Sequence, residues 1–353
     1  MKYASYLILV VLIMIFLLIM SNIRTVKKRK LELIDSFGKI PNQKKYMFES
    51  IGSYHRYKTA NLGNYDAIDS ITWDDLDMDL IYERINSCLT SVGEEYLYDA
   101  LHSLQNNEEI LLKREKLISC LEENPDNRLK LQMNLAKAGK CNYNGLVSFI
   151  FNAEAKTLKY NFIYNILTLI PVLCIFLIFV NAQAGVLCLL LSGIINGLIY
   201  YRTKAKMERE LSAISYFSSV LNCLNKIFKT KDYEDVPFFD ELKESFVIFK
   251  SLRTKISNIL HKDFSDMAVF AEYMKIIFLT DIRNYNKAMR RILKYTDEFH
   301  ILYKCLGEID MAICVLSFRK SLPFYCCPVF HNENSIEFED FYHPLLSDPV
   351  TNS

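Results

Sequence analysis

The sequence predicts an all-α fold: a membrane-anchored helical bundle with long lever-like helices, three transmembrane helices and a short C-terminal strand segment. Three observations predict it. Residues 3–23, Phe162–Val180 and Ala184–Tyr201 are apolar runs without charge, each near the roughly 20 residues that a helix needs to cross about 30 Å of hydrocarbon. Elsewhere apolar positions step by threes and fours over long stretches, the period of helices packed along one stripe. Only 10 Gly and 8 Pro occur among 353 residues, too few turn formers for a sheet-rich fold.

The second and third runs organise the chain. Only Asn181, Ala182 and Gln183 separate them, so residues 162–201 read as a helical hairpin that enters and leaves a bilayer on one side. A soluble core helix of this length ordinarily keeps some charge on its outer face. Lys156 and Lys159 precede the hairpin, Arg202, Lys204, Lys206 and Arg209 follow it, and the connecting loop is uncharged. Both flanks are therefore expected in the cytoplasm. The first run is followed by Arg24, Lys27, Lys28, Arg29 and Lys30, and lacks the short apolar core and small-residue cleavage site of a signal peptide. It reads as an anchor with the N-terminus outside, which gives a multi-pass cell-membrane protein whose soluble regions are cytoplasmic. The five cations would also attract anionic headgroups. Gly193 and Gly197 form a GxxxG pattern that lets helix backbones approach closely. It serves either the hairpin itself or a homodimer. Asn165 and Asn196 read as interhelical hydrogen-bonding residues, since no ionisable residue accompanies them.

The net charge is +1, so any preference for a polyanion must come from a local surface. Ten cysteines in a chain placed largely in the cytoplasm read as free thiols. Cys326 and Cys327, with His331 and His343 nearby, are adjacent in sequence, poor geometry for holding one ion, and no metal site is expected.

Residues 31–70 carry scattered glycines and weak periodicity and are expected to be irregular. From 71 to 160 the pattern is that of a helical core. Thr72-Trp73-Asp74-Asp75 and Ser91-Val92-Gly93-Glu94 read as capping boxes, the first opening a helix through Leu76, Leu80, Ile81 and Ile85. The second opens one through Leu97, Ala100, Leu101 and Leu104. A third helix runs from Glu108 to Glu123 and stops before Pro125, and a fourth ends at Gly139. Asp74, Asp75, Asp77 and Asp79 suit a helix N-terminus better than paired-carboxylate chemistry.

Residues 202–322 carry the long rods, marked by Leu211 to Phe228, Phe239 to Ile259 and Phe299 to Leu316 at helical spacing. Between the last two, Arg283, Lys287, Arg290 and Lys294 share one helical face, with Arg291 beside them. The stripe is either a solvated outer face or a phosphate-backbone contact. Pro323 ends the last rod, and Ser335 to Phe341 alternates as a strand does.

The stretch from Glu308-Ile309-Asp310 through Phe318-Arg319, Leu322-Pro323-Phe324-Tyr325 and Pro328-Val329-Phe330 to Phe341-Tyr342-His343-Pro344-Leu345 and Pro349-Val350-Thr351-Asn352-Ser353 resembles the junction between helical core and ATPase domain in MutS-family proteins. Asp75-Leu76-Asp77-Met78-Asp79, Ser91 to Tyr98 and Arg114-Glu115-Lys116-Leu117 resemble the first half of that core, and the whole is most similar to the membrane-anchored branch of the family. The resemblance implies a DNA mismatch repair type of protein: a dimer in which an ATPase moves helical levers gripping DNA or another client. It makes residues 323–353 the start of a missing ATPase domain. No G-x-x-x-x-G-K-[ST] occurs, since Gly139-Lys140 is followed by Cys141 and Gly38-Lys39 by Ile40. No ATP hydrolysis by this chain alone is therefore expected, and ATP with Mg belongs to the missing domain. Phe239-Asp240-Glu241 and Phe270-Ala271-Glu272 match the letters of the family's mismatch-reading wedge but follow the hairpin, and read as chance.

The leading expectation is thus a membrane-tethered MutS-like core and lever, with the bilayer, a separately encoded ATPase domain and DNA as partners. The alternative is a membrane scaffold or signalling module that binds a cytoplasmic protein through its rods. No Ser/His/Asp order or Cys/His pair points to an enzyme.

Overall fold

The computed structural model describes residues 2–42, 46–61, 66–104, 107–141, 146–147, 161–206, 208–230, 232–253, 273–330, 335–346 and 351. Lys156, Lys159, Ile256, Ile259, Phe270-Ala271-Glu272, His331 and most of Pro349–Ser353 lie outside the described residues.

The described chain is helical throughout. A long α1 (Lys2–Ser36) is followed by α2 (Phe48–Ile51), α3 (Ser53–Asn61), α4 (Ser70–Asp75) and α5 (Met78–Ile85). Then come α6 (Ser91–His102), α7 (Glu108–Glu123), α8 (Pro125–Ala138), α9 (Asn161–Val180) and α10 (Ala182–Lys206). The rods are α11 (Glu208–Ile227), α12 (Phe239–Phe249), α13 (Thr280–Lys294) and α14 (Thr296–Lys320). One main core joins both halves of the sequence, with α14 packed against α6, α7 and α12, and α11 against α8. The apolar stripes predicted for the rods are the buried ones: Ile214, Phe217, Leu221 and Leu224 on α11, and Phe299, Leu302, Leu306, Ile309, Ile313 and Leu316 on α14.

Two helices among the described residues, α9 and α10, are long and apolar enough to cross a membrane, where three were expected. Residues 3–23 are helical, but they are the first part of α1, which continues through Arg24 and the lysines to Ser36 and docks its charged half on α8. The cationic flank does not end a separate span; it is the outer half of one longer helix. Leu33 is buried there, Arg128 stacks its guanidinium 4.1 Å from the Phe37 ring, and the Gly38 N–H donates to Ser317 Oγ at 3.0 Å. Gly38 takes φ +74, a conformation open to glycine without strain.

Three local expectations change. The single helix expected from Thr72 is two, because Asp77 takes a left-handed φ of 49 and breaks it. Asp69, not Thr72, caps α4, accepting from the Ile71 and Thr72 N–H groups at 2.9 Å. The break turns Leu76 and Leu80 to the surface and buries Trp73 and Tyr82 instead. In α6 the cap is Thr90, whose hydroxyl accepts from the Gly93 N–H at 3.0 Å. Glu94 does not close a capping box, since its carboxylate accepts from Asn86 and Lys140.

The C-terminal strand does not form. Residues 335–338 have no regular secondary structure, and the described residues contain no strand beside them. Ile336 is 89% exposed: an alternating pattern makes a strand only where a neighbour takes its hydrogen bonds and a core takes one face.

Candidate functional site: a hairpin joint and a buried carboxylate hub

The hairpin is tight. Asn181 caps α10, its Oδ1 accepting from the Ala184 N–H at 3.2 Å. The close approach of α9 and α10 occurs at Gly185, where a Cβ would lie 2.5 Å from the Ile178 backbone nitrogen. Gly193 and Gly197 do not serve it: a Cβ on Gly193 would meet open space, and one on Gly197 would touch only Ile276 at 3.8 Å. The outer surface of the hairpin is apolar and uncovered, with Phe179 and Val180 both 84% exposed. Only 11% of the most apolar window of α9 and 17% of that of α10 is buried among the described residues.

Four polar rungs tie α13 and the turn before it to this hairpin. Asn196 Nδ2 donates to the carbonyls of Leu167 at 3.0 Å and Ile277 at 2.7 Å. The Thr168 hydroxyl shares its proton between the Tyr164 carbonyl at 2.7 Å and the Phe278 carbonyl at 3.1 Å. The Tyr200 hydroxyl donates to Asp281 Oδ2 at 2.8 Å and receives Lys204 Nζ at 2.9 Å. Arg283 Nε donates to Asn165 Oδ1 at 3.1 Å. The step from Asn196 to Tyr200 matches the step from Ile277 to Asp281, so α10 and α13 run side by side in one direction. Tyr200, Leu279 and Ile282 close the joint with a small apolar cluster of their own. Asn165 and Asn196 thus do hydrogen-bond between elements, but an ionisable residue does accompany them, since the partner of Asn165 is Arg283.

The cationic stripe on α13 divides. Lys287, Arg290 and Lys294 are exposed on one face. Arg283 is taken up in the joint, and Arg291 turns inward, its Nη2 donating to the Ile248 carbonyl at 3.1 Å with the guanidinium 5.2 Å from the Tyr295 ring. The opposite face, Ile282, Tyr285, Met289 and Ile292, is buried. At Tyr295 the chain turns directly into α14.

The far end of that lever is a hub of buried carboxylates between α6 and α14. Glu308 accepts from Arg114 Nε at 2.9 Å, Arg114 Nη2 at 2.9 Å and the Tyr96 hydroxyl at 2.6 Å. Asp310 accepts from the N–H groups of Leu89 at 3.1 Å and Thr90 at 2.8 Å and from the Thr90 hydroxyl at 2.6 Å. It therefore holds the turn that leads into α6, 220 residues earlier. Burial pushes its carboxyl above the ordinary range, against the pull of those donors. Glu95 Oε2 accepts from Tyr303 at 2.8 Å and Ser53 at 3.0 Å, and burial raises its carboxyl to about 8. The helices can cross this closely because glycines face the larger groups: a Cβ on Gly93 would lie 2.6 Å from Asp310 Cγ, and one on Gly307 2.5 Å from Tyr96 Cγ. Beside the hub, His102 stacks at 3.5 Å on Trp73, and burial holds its imidazole down near 4, neutral.

Every carboxylate of the hub is engaged with donors from another element, the arrangement of a structural lock rather than of free general acids and bases. The hub was missed in the sequence, although a signal existed: Glu308 and Asp310 interrupt the otherwise apolar Cys305–Leu316 stripe. Among the described residues no group of His, Cys, Asp and Glu has the arrangement of a metal site. Cys326 and Cys327 are exposed free thiols.

No protein-family model, no curated protein and no solved structure matches this chain.

Proposed function

We propose that this chain is a membrane-tethered lever of the MutS-like kind, which carries displacement between the bilayer-anchored hairpin and the α6–α14 hub and grips a polyanionic client, duplex DNA, along α13. One observation carries the reading. The lever helix α13 is pinned to the hairpin at its start, runs without a loop into α14 at its end, and presents three exposed cations between those fixed points, the last of them 5.2 Å from the Tyr295 ring.

Height above the membrane favours DNA over lipid. With Asp281 level with Tyr200, next to the first cations after the span, a rise of 1.5 Å per residue puts Lys287 about 9 Å and Lys294 about 20 Å farther out. The screening length in physiological salt is about 8 Å, so the outer cations lie beyond the headgroup field. In this reading nucleotide chemistry belongs to an ATPase unit that packs on the segment after α14, where Val329 is 87% exposed and Phe324, Phe330, Phe338 and Phe341 are also uncovered. That same apolar segment is what favours the second reading, a scaffold for a cytoplasmic protein partner.

The test is retention of labelled duplex DNA by the vesicle-reconstituted chain and by its Lys287→Gln/Arg290→Gln/Lys294→Gln variant. Retention should fall in the variant, and the salt dependence should flatten by about 0.9 per lost contact. Equal retention by both chains refutes the DNA client and leaves the scaffold reading.

A further inference from the structure

Residues 273–279, Tyr-Met-Lys-Ile-Ile-Phe-Leu, fall within the 202–322 region expected to carry long rods, but they form only a helical turn over 273–277 and a turn at 278–279, where Leu279 takes a left-handed φ of 49 before α13 begins. Their position follows from the rungs. Asn196, which holds the Ile277 carbonyl, lies six residues before Arg202, the first charge after the apolar run, about 9 Å along the helix. Thr168, which holds the Phe278 carbonyl, lies six residues after Phe162, the first residue of the other run, again about 9 Å. Two antiparallel helices therefore give the same depth. The boundary cannot be moved inward to keep the turn in water. Ala184–Tyr201 is only about 27 Å long, already close to the hydrocarbon thickness of about 30 Å, and a 9 Å shift would leave a span too short to cross.

The polar groups of the segment are arranged as lipid requires. The Ile276 carbonyl accepts from the Leu279 N–H at 3.3 Å, and that of Leu279 from the Arg283 N–H at 3.1 Å. Ile277 and Phe278 give theirs to Asn196 and Thr168. The carbonyls of Ile276, Ile277 and Leu279 are paired inside the protein and that of Phe278 shares the single Thr168 hydroxyl proton with the Tyr164 carbonyl, an internal pairing that a turn in hydrocarbon cannot do without. Ile276, Ile277 and Phe278 are half-buried against the hairpin and keep an outer apolar side. Tyr273 is exposed at the entry, an interfacial residue type.

We infer that residues 273–279 are a re-entrant segment whose turn at Ile277–Phe278 inserts among the acyl chains of the leaflet nearest the rods. The inference rests on the reading that the hairpin spans a bilayer, and it makes lipid a direct contact of the lever: α13 starts inside the membrane.

Tryptophan reporters in the full chain, reconstituted in phosphatidylcholine vesicles with acyl chains brominated near the headgroup end, test it. Trp73 supplies a constant background from the soluble core. Phe278→Trp and, as a gentler substitution, Tyr273→Trp are compared with Leu190→Trp in the hairpin and Val247→Trp on α12. Reporters about 5–10 Å below the headgroups should lose emission as Leu190→Trp does, and Val247→Trp should lose none. Quenching of Phe278→Trp or Tyr273→Trp alongside Leu190→Trp supports insertion. If Leu190→Trp is quenched while both segment reporters behave as Val247→Trp does, the re-entrant segment is refuted and the spanning hairpin stands. If Leu190→Trp is also unquenched, the membrane reading fails and insertion fails with it.

Discussion

Replacing Arg114 by methionine should be among the most damaging single changes outside the hairpin. Glu308 is fully buried and its carboxylate accepts from two N–H groups of Arg114 and from the Tyr96 hydroxyl. Methionine keeps much of the stem volume but withdraws the counter-charge, leaving a buried carboxylate with a single hydroxyl donor. Breaking a buried pair in this way costs about 3–5 kcal/mol, a large part of a domain stability of about 5–15 kcal/mol. The double variant Arg114→Met/Glu308→Leu removes both charges and should recover most of the loss, because well-packed apolar replacements of buried pairs are often neutral or stabilising. Urea unfolding of the detergent-solubilised chain, followed by Trp73 emission and far-ultraviolet circular dichroism, measures all corners of the cycle. A loss below about 1 kcal/mol for Arg114→Met, the size of a surface pair, or simple additivity in the double variant, would refute the claim that the hub is a desolvated lock.

Further expectations follow from the same contacts. Gly307→Ala and Gly93→Ala drive a methyl into Tyr96 and Asp310 and should cost about 1–3 kcal/mol each, whereas Gly193→Ala meets open space and should be neutral or slightly stabilising in the same unfolding assay. The Glu95 carboxyl is raised in the folded chain from its ordinary 4.5 to about 8. The unfolded chain releases this proton first, so the contribution of Glu95 is intact below pH 4.5, falls as pH rises towards 8 and then levels off. Glu95→Gln should therefore unfold at higher urea than the parent at pH 8, and lose that advantage at pH 4.5. Asn196→Leu leaves the Ile277 and Leu167 carbonyls without this donor and should loosen α13 from the hairpin by about 1–2 kcal/mol, seen as faster amide exchange at 277–283.

The sequence by itself determined most of the helices and the apolar faces of the rods α11 and α14, because period and length are local properties, though not the break at Asp77 that exposes Leu76 and Leu80. The rods through Ile214–Leu224 and Phe299–Leu316, the stops at Pro125 and Gly139, and the hairpin around Asn181 needed no partner to be read. Its polar residues were legible only in part: Asn196 announced a hydrogen bond, not that the acceptor would include Ile277, 81 residues away. Tertiary structure alone decided which pattern was used. Two glycines spaced for helix packing face open space or a single side chain, while Gly93, Gly185 and Gly307, which belong to no repeat, make the close approaches. A stripe of five cations became three because Arg283 and Arg291 found acceptors on other elements, and the alternation at 335–341 formed no strand for want of a neighbour. The carboxylate hub joins residues more than 190 apart in sequence, and charge at such range has no period. A buried carboxylate is tolerable only where distant donors converge on it, and their convergence is a property of the folded chain.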